Sequence, residues 1–148
     1  MKKIVLILVL FISSCGYQPI YINKNLKNLE FFNITLEGDN DVNRKIISSL
    51  SLKENKSDKS LNELSLKSSF KTEEILKNSK GQVESYRSSI SVNWLIVKDK
   101  KIIKRKNFIE DFTYSNLENK FELIEYQNEV KDNIINKIIE EIILFTNL

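Results

Sequence analysis

Between Tyr86 and Val97 the chain alternates. Tyr86, Ser88, Ile90, Val92, Trp94 and Ile96 share one parity, and Arg87, Ser89, Ser91 and Asn93 the other, with Leu95 and Val97 apolar at the end. A period of two with one apolar and one polar side marks an antiparallel strand covered on one face and wet on the other. The same logic places a first strand at Leu29 to Leu36, rich in aromatic and β-branched residues. Another strand lies where Leu64, Leu66, Ser68 and Phe70 alternate with Ser65, Lys67 and Ser69. The phase blurs from Thr72 to Lys77, where Ile75 and Leu76 are neighbours, and Asn78 to Gly81 reads as a hairpin turn. Asp99-Lys100 starts a tight turn into a strand over 102–113. There Ile102, Phe108, Phe112 and Tyr114 share a parity that Lys104, Lys106 and Glu110 interrupt, which suggests a bulge near Lys104 to Lys106.

Two stretches switch to helical spacing. After the turn Gly38-Asp39-Asn40-Asp41, with its N-cap residues, Val42, Ile46 and Leu50 fall four apart with Ile47 beside them. Near the C-terminus, Ser115 with Glu118 fits a capping box. Phe121 and Ile124 open a stripe that Val130, Ile134, Ile138 and Ile142 continue, joined by Ile135, Ile139 and Ile143, so a long helix is predicted over 117–145. The stripe is broader than a coiled-coil seam, which favours packing on the sheet. The polar stretch Lys53 to Ser60 connects the first helix to the second strand. The element order is β-α-β-β-β-α. This is the α+β class: an about four-stranded, mostly antiparallel sheet with two helices packed on one face, which buries both helical stripes at once. Periodicity leaves the order of strands across the sheet open.

The N-terminus has a different pattern. Lys2 and Lys3 precede the nine apolar residues Ile4 to Ile12, and Ser13, Ser14 and Cys15 follow. A helix of that run reaches about 14 Å, where a bilayer core needs about 20 residues. A positive segment, a short apolar segment and small residues have the layout of an export signal, the plain alternative being a membrane anchor or a buried N-terminal strand. Ile12-Ser13-Ser14-Cys15 resembles the lipobox of bacterial lipoproteins, in which the cysteine thiol takes a diacylglycerol and the peptide is cut just before it. The expected divisions are a signal peptide over 1–14, a lipidated tether over 15–28 and a single domain over 29–148. Two or more acyl chains hold a protein firmly to a membrane.

Composition removes most enzyme templates. The 148-residue chain has no histidine, which excludes Ser–His–Asp and Cys–His machinery and any His-ligated metal. One cysteine excludes an internal disulfide, and three glycines leave no room for a phosphate loop. No cofactor is expected. The formal charge of +3 falls to +1 once Lys2 and Lys3 leave with the signal, so basicity points to no nucleic-acid partner. Few Gly and Pro with many Lys, Asn and Ile suggest an AT-rich genome, in which some lysines reflect codon drift.

Three segments carry a closer resemblance. Cys15-Gly16-Tyr17-Gln18-Pro19-Ile20-Tyr21 is similar to the opening Cys-Gly-Phe-x-Pro-Leu-Tyr of LptE, the lipopolysaccharide-assembly lipoprotein family, with Tyr17 for Phe and Ile20 for Leu. Gly81-Gln82-Val83-Glu84-Ser85-Tyr86-Arg87 resembles that family's hairpin entry, and Phe108 to Asn116 its strand end before the long helix. The resemblance implies a non-catalytic outer-membrane lipoprotein, lipid-anchored through Cys15, on the periplasmic side and in a barrel lumen. It implies a one-to-one complex with an LptD-like β-barrel, which the protein plugs and helps assemble into the translocon that inserts lipopolysaccharide into the outer leaflet. Lipopolysaccharide itself is a candidate ligand.

The candidate contact residues are basic. Lys98, Lys100, Lys101, Lys104, Arg105 and Lys106 crowd one hairpin with only Asp99 against them. Clustered Lys and Arg bind phosphate by charge and hydrogen bonds. The plain alternative is a solvated hairpin tip. Arg87, on the polar side of the longest strand, is a second candidate, and its plain alternative is a cross-strand pair with an acidic neighbour. Three other classes compete with a barrel plug. An unrelated structural or inhibitory lipoprotein with another protein partner shares Cys15 and the domain. A nucleic-acid module lacks its exposed aromatic platform here and would be in the wrong compartment. A hydrolase finds no acid–base pattern among Glu110, Asp111, Glu140 and Glu141, which sit on wet faces.

Overall fold

A computed structural model describes residues 29–146; the signal segment, Cys15 and the tether over 15–28 lie outside the described residues. The elements are β1 (Glu30–Phe31), β2 (Asn33–Gly38), α1 (Asn40–Ser49), β3 (Lys53–Glu54), β4 (Glu63–Lys77), β5 (Val83–Lys98), β6 (Lys101–Ser115) and α2 (Lys120–Thr146). The expected order holds, with β1 and β3 added as a two-residue parallel pair. The expected first strand over 29–36 is divided at Phe32, whose N–H leaves the ladder and donates to the Asn62 carbonyl at 2.8 Å. The main sheet runs β2-β4-β5-β6. β4–β5 and β5–β6 are antiparallel hairpins. β2 and β4 are parallel, because α1 carries the chain back between them.

Both helices cover one face. Register aligns Leu36, Leu66 and Trp94 in one row, and Ile34, Leu64 and Ile96 in the next. Leu66, Ile90, Val92 and Trp94 are fully buried beneath Val42 and Ile46 of α1 and Ile135, Ile138 and Ile142 of α2. Burying a large aliphatic or aromatic side chain contributes about 1.5–3 kcal/mol, so this face holds the fold together. Of the polar groups on it, the buried Ser88 hydroxyl bonds Thr72 Oγ1 at 2.9 Å and the Tyr114 hydroxyl at 3.0 Å, whereas the buried Trp94 indole N–H has no partner among the described residues.

The turn into α1 is tight. Gly38 has φ +89°, and a Cβ there would lie 1.8 Å from the Ser68 carbonyl oxygen. The close approach lets Asp39 N–H donate to Ser68 O at 3.2 Å and Ser68 Oγ donate to Asp39 O at 3.1 Å. Asp39 then caps the helix, its Oδ1 accepting from the N–H groups of Asp41 and Val42.

Three local expectations are corrected. Ser115 is not a cap: it ends β6, paired with Ser85. The helix starts four residues later, where Asn119 Oδ1 accepts from Phe121 N–H at 2.9 Å and Asn119 Nδ2 donates to Glu122 at 3.2 Å. The fully buried stripe begins at Val130: before it, Leu123 and Tyr126 pack against the core only partly buried, and Phe121 and Ile124 are 82% and 55% exposed. In β6 the bulge falls at Ile103: Ile96 faces Lys104 and Val97 faces Ile102, so Ile103 has no opposite residue. That extra residue turns Ile102 to the open face, and Phe112 is half exposed at the margin of α2. A second irregularity, at Ile75 between Glu74 and Leu76, explains the blurred phase of 72–77, which is all strand.

Candidate functional site

Among the described residues, nothing covers the side of the sheet away from the helices. Its rows are cross-strand sets: Ser65, Leu95 and Arg105; Lys67, Asn93 and Asn107; Ser69, Ser91 and Ile109; Lys71, Ser89 and Asp111; Glu73, Arg87 and Thr113. Hydroxyl, amide and charged groups dominate, with apolar Leu95, Val97, Ile102 and Ile109 toward the β5–β6 turn. Ion pairs knit the surface, Lys67 with Glu37 at 3.1 Å and Lys71 with Glu73 at 3.7 Å. Exposed pairs of this kind contribute about 0–1 kcal/mol each, so they stabilise little and leave hydrogen-bonding groups for a partner.

The basic hairpin ends in a two-residue turn with Asp99 at φ +48° and Lys100 at φ +63°. Positive φ at both positions matches the twist of the flanking strands. The six cations do not form one surface. Lys106 faces the helix side opposite Trp94, where its Nζ bonds Glu141 of α2 at 3.2 Å and lies 4.4 Å from the Phe108 ring centroid. Lys104, opposite Ile96, reaches over Phe145 at 5.6 Å. The last turn of α2 has no basic residue of its own, so these two lysines stand near the negative end of the helix dipole. Lys98 pairs in register with Lys101 beside the turn; the carboxyl of Asp58 is held below its usual range mainly by hydrogen bonds from Ser60, with a smaller contribution from the charge of Lys98. Lys100, Lys101 and Arg105 have no side-chain partner among the described residues, and Arg105 alone points to the open face. The tip therefore presents a small cationic end rather than a flat patch.

Arg87 stands apart. Eleven residues along β5 from Lys98, it is about 35 Å from the tip. Its Nε lies 3.6 Å from Asp111 Oδ2 and donates to Thr113 Oγ1 at 3.4 Å. The acidic neighbour expected from sequence is Asp111, one strand over.

A further feature has no simple signal in the sequence. A groove of about 760 Å³ runs between α1 and α2, bordered by Asp41, Arg44, Lys45, Lys131 and Asp132. Lys131, only 15% exposed at its side chain, reaches Asp39 at 3.4 Å and Asp41 at 3.7 Å and covers the Phe70 ring at 4.7 Å. Lys45 pairs with Asp132. The hydrogen bond from Arg44, then the charge of Lys131, hold the Asp41 carboxyl below its usual range. These charges are engaged in holding the helices to each other. Among the described residues no helix is long and apolar enough to cross a membrane. Among the same residues, no group of three or more His, Cys, Asp or Glu side chains is placed to hold a metal ion.

Comparison with known proteins supports this fold. No protein-family model matches the chain, and no curated protein does. Solved structures do match. Rare lipoprotein B from Shewanella oneidensis superposes with a TM-score of 0.55 at 14% identity, over 78% of this chain and 96% of that one. Minor lipoprotein from Acinetobacter baumannii gives 0.51 at 14% identity, over 77% and 89%. Lipoprotein B from Nitrosomonas europaea gives 0.53 at 10% identity, over 78% and 81%. At such identities the likeness is one of architecture: the mixed sheet with two helices on one face is a fold found in bacterial lipoproteins.

Proposed function

We propose that the chain is a non-catalytic lipoprotein, held on the periplasmic side of the outer membrane by a lipidated Cys15, whose domain acts by binding another protein. The observation that carries this is the fold shared with solved lipoproteins, with one sheet face left open among the described residues and lined mostly by hydrogen-bonding groups. The export pattern ending at Cys15 supports the anchor.

In its specific form the partner is an LptD-like β-barrel in a one-to-one complex. The domain fills the lumen and helps assemble the translocon for lipopolysaccharide, and Lys98, Lys100, Lys101 and Arg105 meet anionic groups. Barrel interiors are polar, and a hydroxyl and amide surface suits such a wall. What supports this form beyond the fold is the opening septapeptide and the two strand motifs. The broader form is a structural or inhibitory periplasm-facing lipoprotein with a different protein partner. Two observations favour it: the likeness to solved lipoproteins stops at fold, at 10–14% identity, and Lys104 and Lys106 are engaged by α2, which shrinks any phosphate-binding surface.

The test is a detergent pull-down of the protein from its own outer membranes, with mass spectrometry of stoichiometric partners and of the N-terminal peptide. An equimolar barrel with acylated Cys15 is the result expected of the specific form. Acylated Cys15 with a different stoichiometric partner sinks the barrel and keeps the broader form. An unmodified Cys15 overturns both.

A further inference from the structure

β6 is a 15-residue edge strand, and its far side carries no strand among the described residues. Edge strands are normally blunted by shortness, charged side chains, proline or a bulge. β6 is long and has no proline, and its bulge at Ile103 sits near one end. Its outward side chains are partly apolar: Ile109 is 63% exposed, Ile102 56% and Phe112 49%. Its charges are sorted along its length. Lys101, Lys104, Arg105 and Lys106 occupy the first part, and Glu110 and Asp111 follow Phe108.

That sorting makes the edge complementary to itself. We propose that β6 pairs antiparallel with β6 of a second copy about a two-fold axis through Phe108, joining two sheets into one. In this register Arg105 faces Asp111 of the second copy, Lys106 faces Glu110 and Lys104 faces Phe112. Opposite residues in an antiparallel pair lie on the same face, with Cβ atoms about 4.5–5.5 Å apart. The charge pairs therefore meet on both faces of the seam, Arg105 with Asp111 on the open face and Lys106 with Glu110 on the helix side. Other registers are worse. Centring on Lys106 or on Glu110 sets that charge against its own copy, and like charges directly opposite are unfavourable. Arg105 is the key group, because it has no side-chain partner among the described residues. Lys106, Glu110 and Asp111 already hold Glu141, Lys137 and Arg87. A two-fold seam is self-complementary by construction, and the added strand supplies main-chain hydrogen bonds along its length. The proposal does not depend on the partner of the preceding section and concerns the protein free of any barrel.

The experiment is light scattering of the purified full-length lipoprotein in detergent over a dilution series, with the micelle mass subtracted. The expected result is a dimer that dissociates on dilution and at high salt, since exposed charge pairs are screened. Arg105→Glu should weaken the dimer by about tenfold or more, about 1.4 kcal/mol at 25 °C. Asp111→Arg should do the same, and the double variant R105E/D111R should restore it. The double variant guards against misreading a folding defect as lost pairing, and far-UV circular dichroism checks each protein. A monomer at every concentration overturns the proposal, and β6 charges are then the guards of a solitary edge. A dimer indifferent to both reversals and to salt also overturns it.

Discussion

One strand, β5, belongs to two different surfaces. Its even positions, Ile90, Val92 and Trp94, are fully buried under two helices. Its odd positions, Arg87, Ser89, Ser91 and Asn93, lie in a ladder of polar neighbours with nothing above them among the described residues. Neighbouring residues share backbone, strand pairing and local twist, so only what lies above each face differs. Stability should therefore respond to substitutions on one parity and partner binding to those on the other.

The largest test is Trp94→Ala. It removes the largest fully buried side chain and should cost about 3–5 kcal/mol, read as a lower urea midpoint by circular dichroism. Gly38→Ala comes next, because the methyl group would collide with the Ser68 carbonyl and the backbone has positive φ. We expect a loss of more than about 2 kcal/mol, measured through Trp94 fluorescence, the only tryptophan signal in the chain. Lys100→Gly should go the other way and raise stability by about 0.5–1 kcal/mol, since glycine adopts the positive φ of the hairpin turn without strain. A decrease would show that Lys100 makes a contact that outweighs its strain.

The acid limb offers a smaller effect. Asp41 has its folded pKa lowered by Arg44 and then Lys131. Its contribution is present above the unfolded value near 3.8 and is lost as pH falls through the lower folded value. Asp41→Asn should thus be less stable than the parent at neutral pH and converge with it in strong acid. Equal midpoints at neutral pH would remove Asp41 from the helix-holding cluster. Smallest on stability is Asn93→Ala on the open face, expected within about 0.5 kcal/mol. The same change should weaken capture of the protein partner in a membrane pull-down, and an unchanged yield would mean that the partner reads another surface.

The same contrast governs how much the sequence discloses. β5 was legible because its two faces differ in chemistry at every step, and α1 because Asp39 and the four-residue spacing agree. β6 was legible as a strand, but its phase was not. The bulge at Ile103 is an event in the backbone ladder, and it changes which side Ile102 occupies without changing composition. The start of α2 was misplaced because two capping patterns stand four residues apart, Ser115 with Glu118 and Asn119 with Glu122. The pairing of Ser115 with Ser85, thirty residues away, decides between them. The basic hairpin was visible as a cluster. That Lys104 and Lys106 are drawn to Phe145 and Glu141 depends on where a helix end comes to rest, which a local pattern does not encode.

β4, β5 and β6 are 15, 16 and 15 residues long, so the sheet extends for about 50 Å. The apolar band of an outer-membrane barrel is about 25 Å tall. Any tube that enclosed this domain lengthwise would cover about half of it at membrane depth. One hairpin turn or the other would protrude, and the ends, Asn78 to Gly81 and Asp99-Lys100, would answer to different compartments.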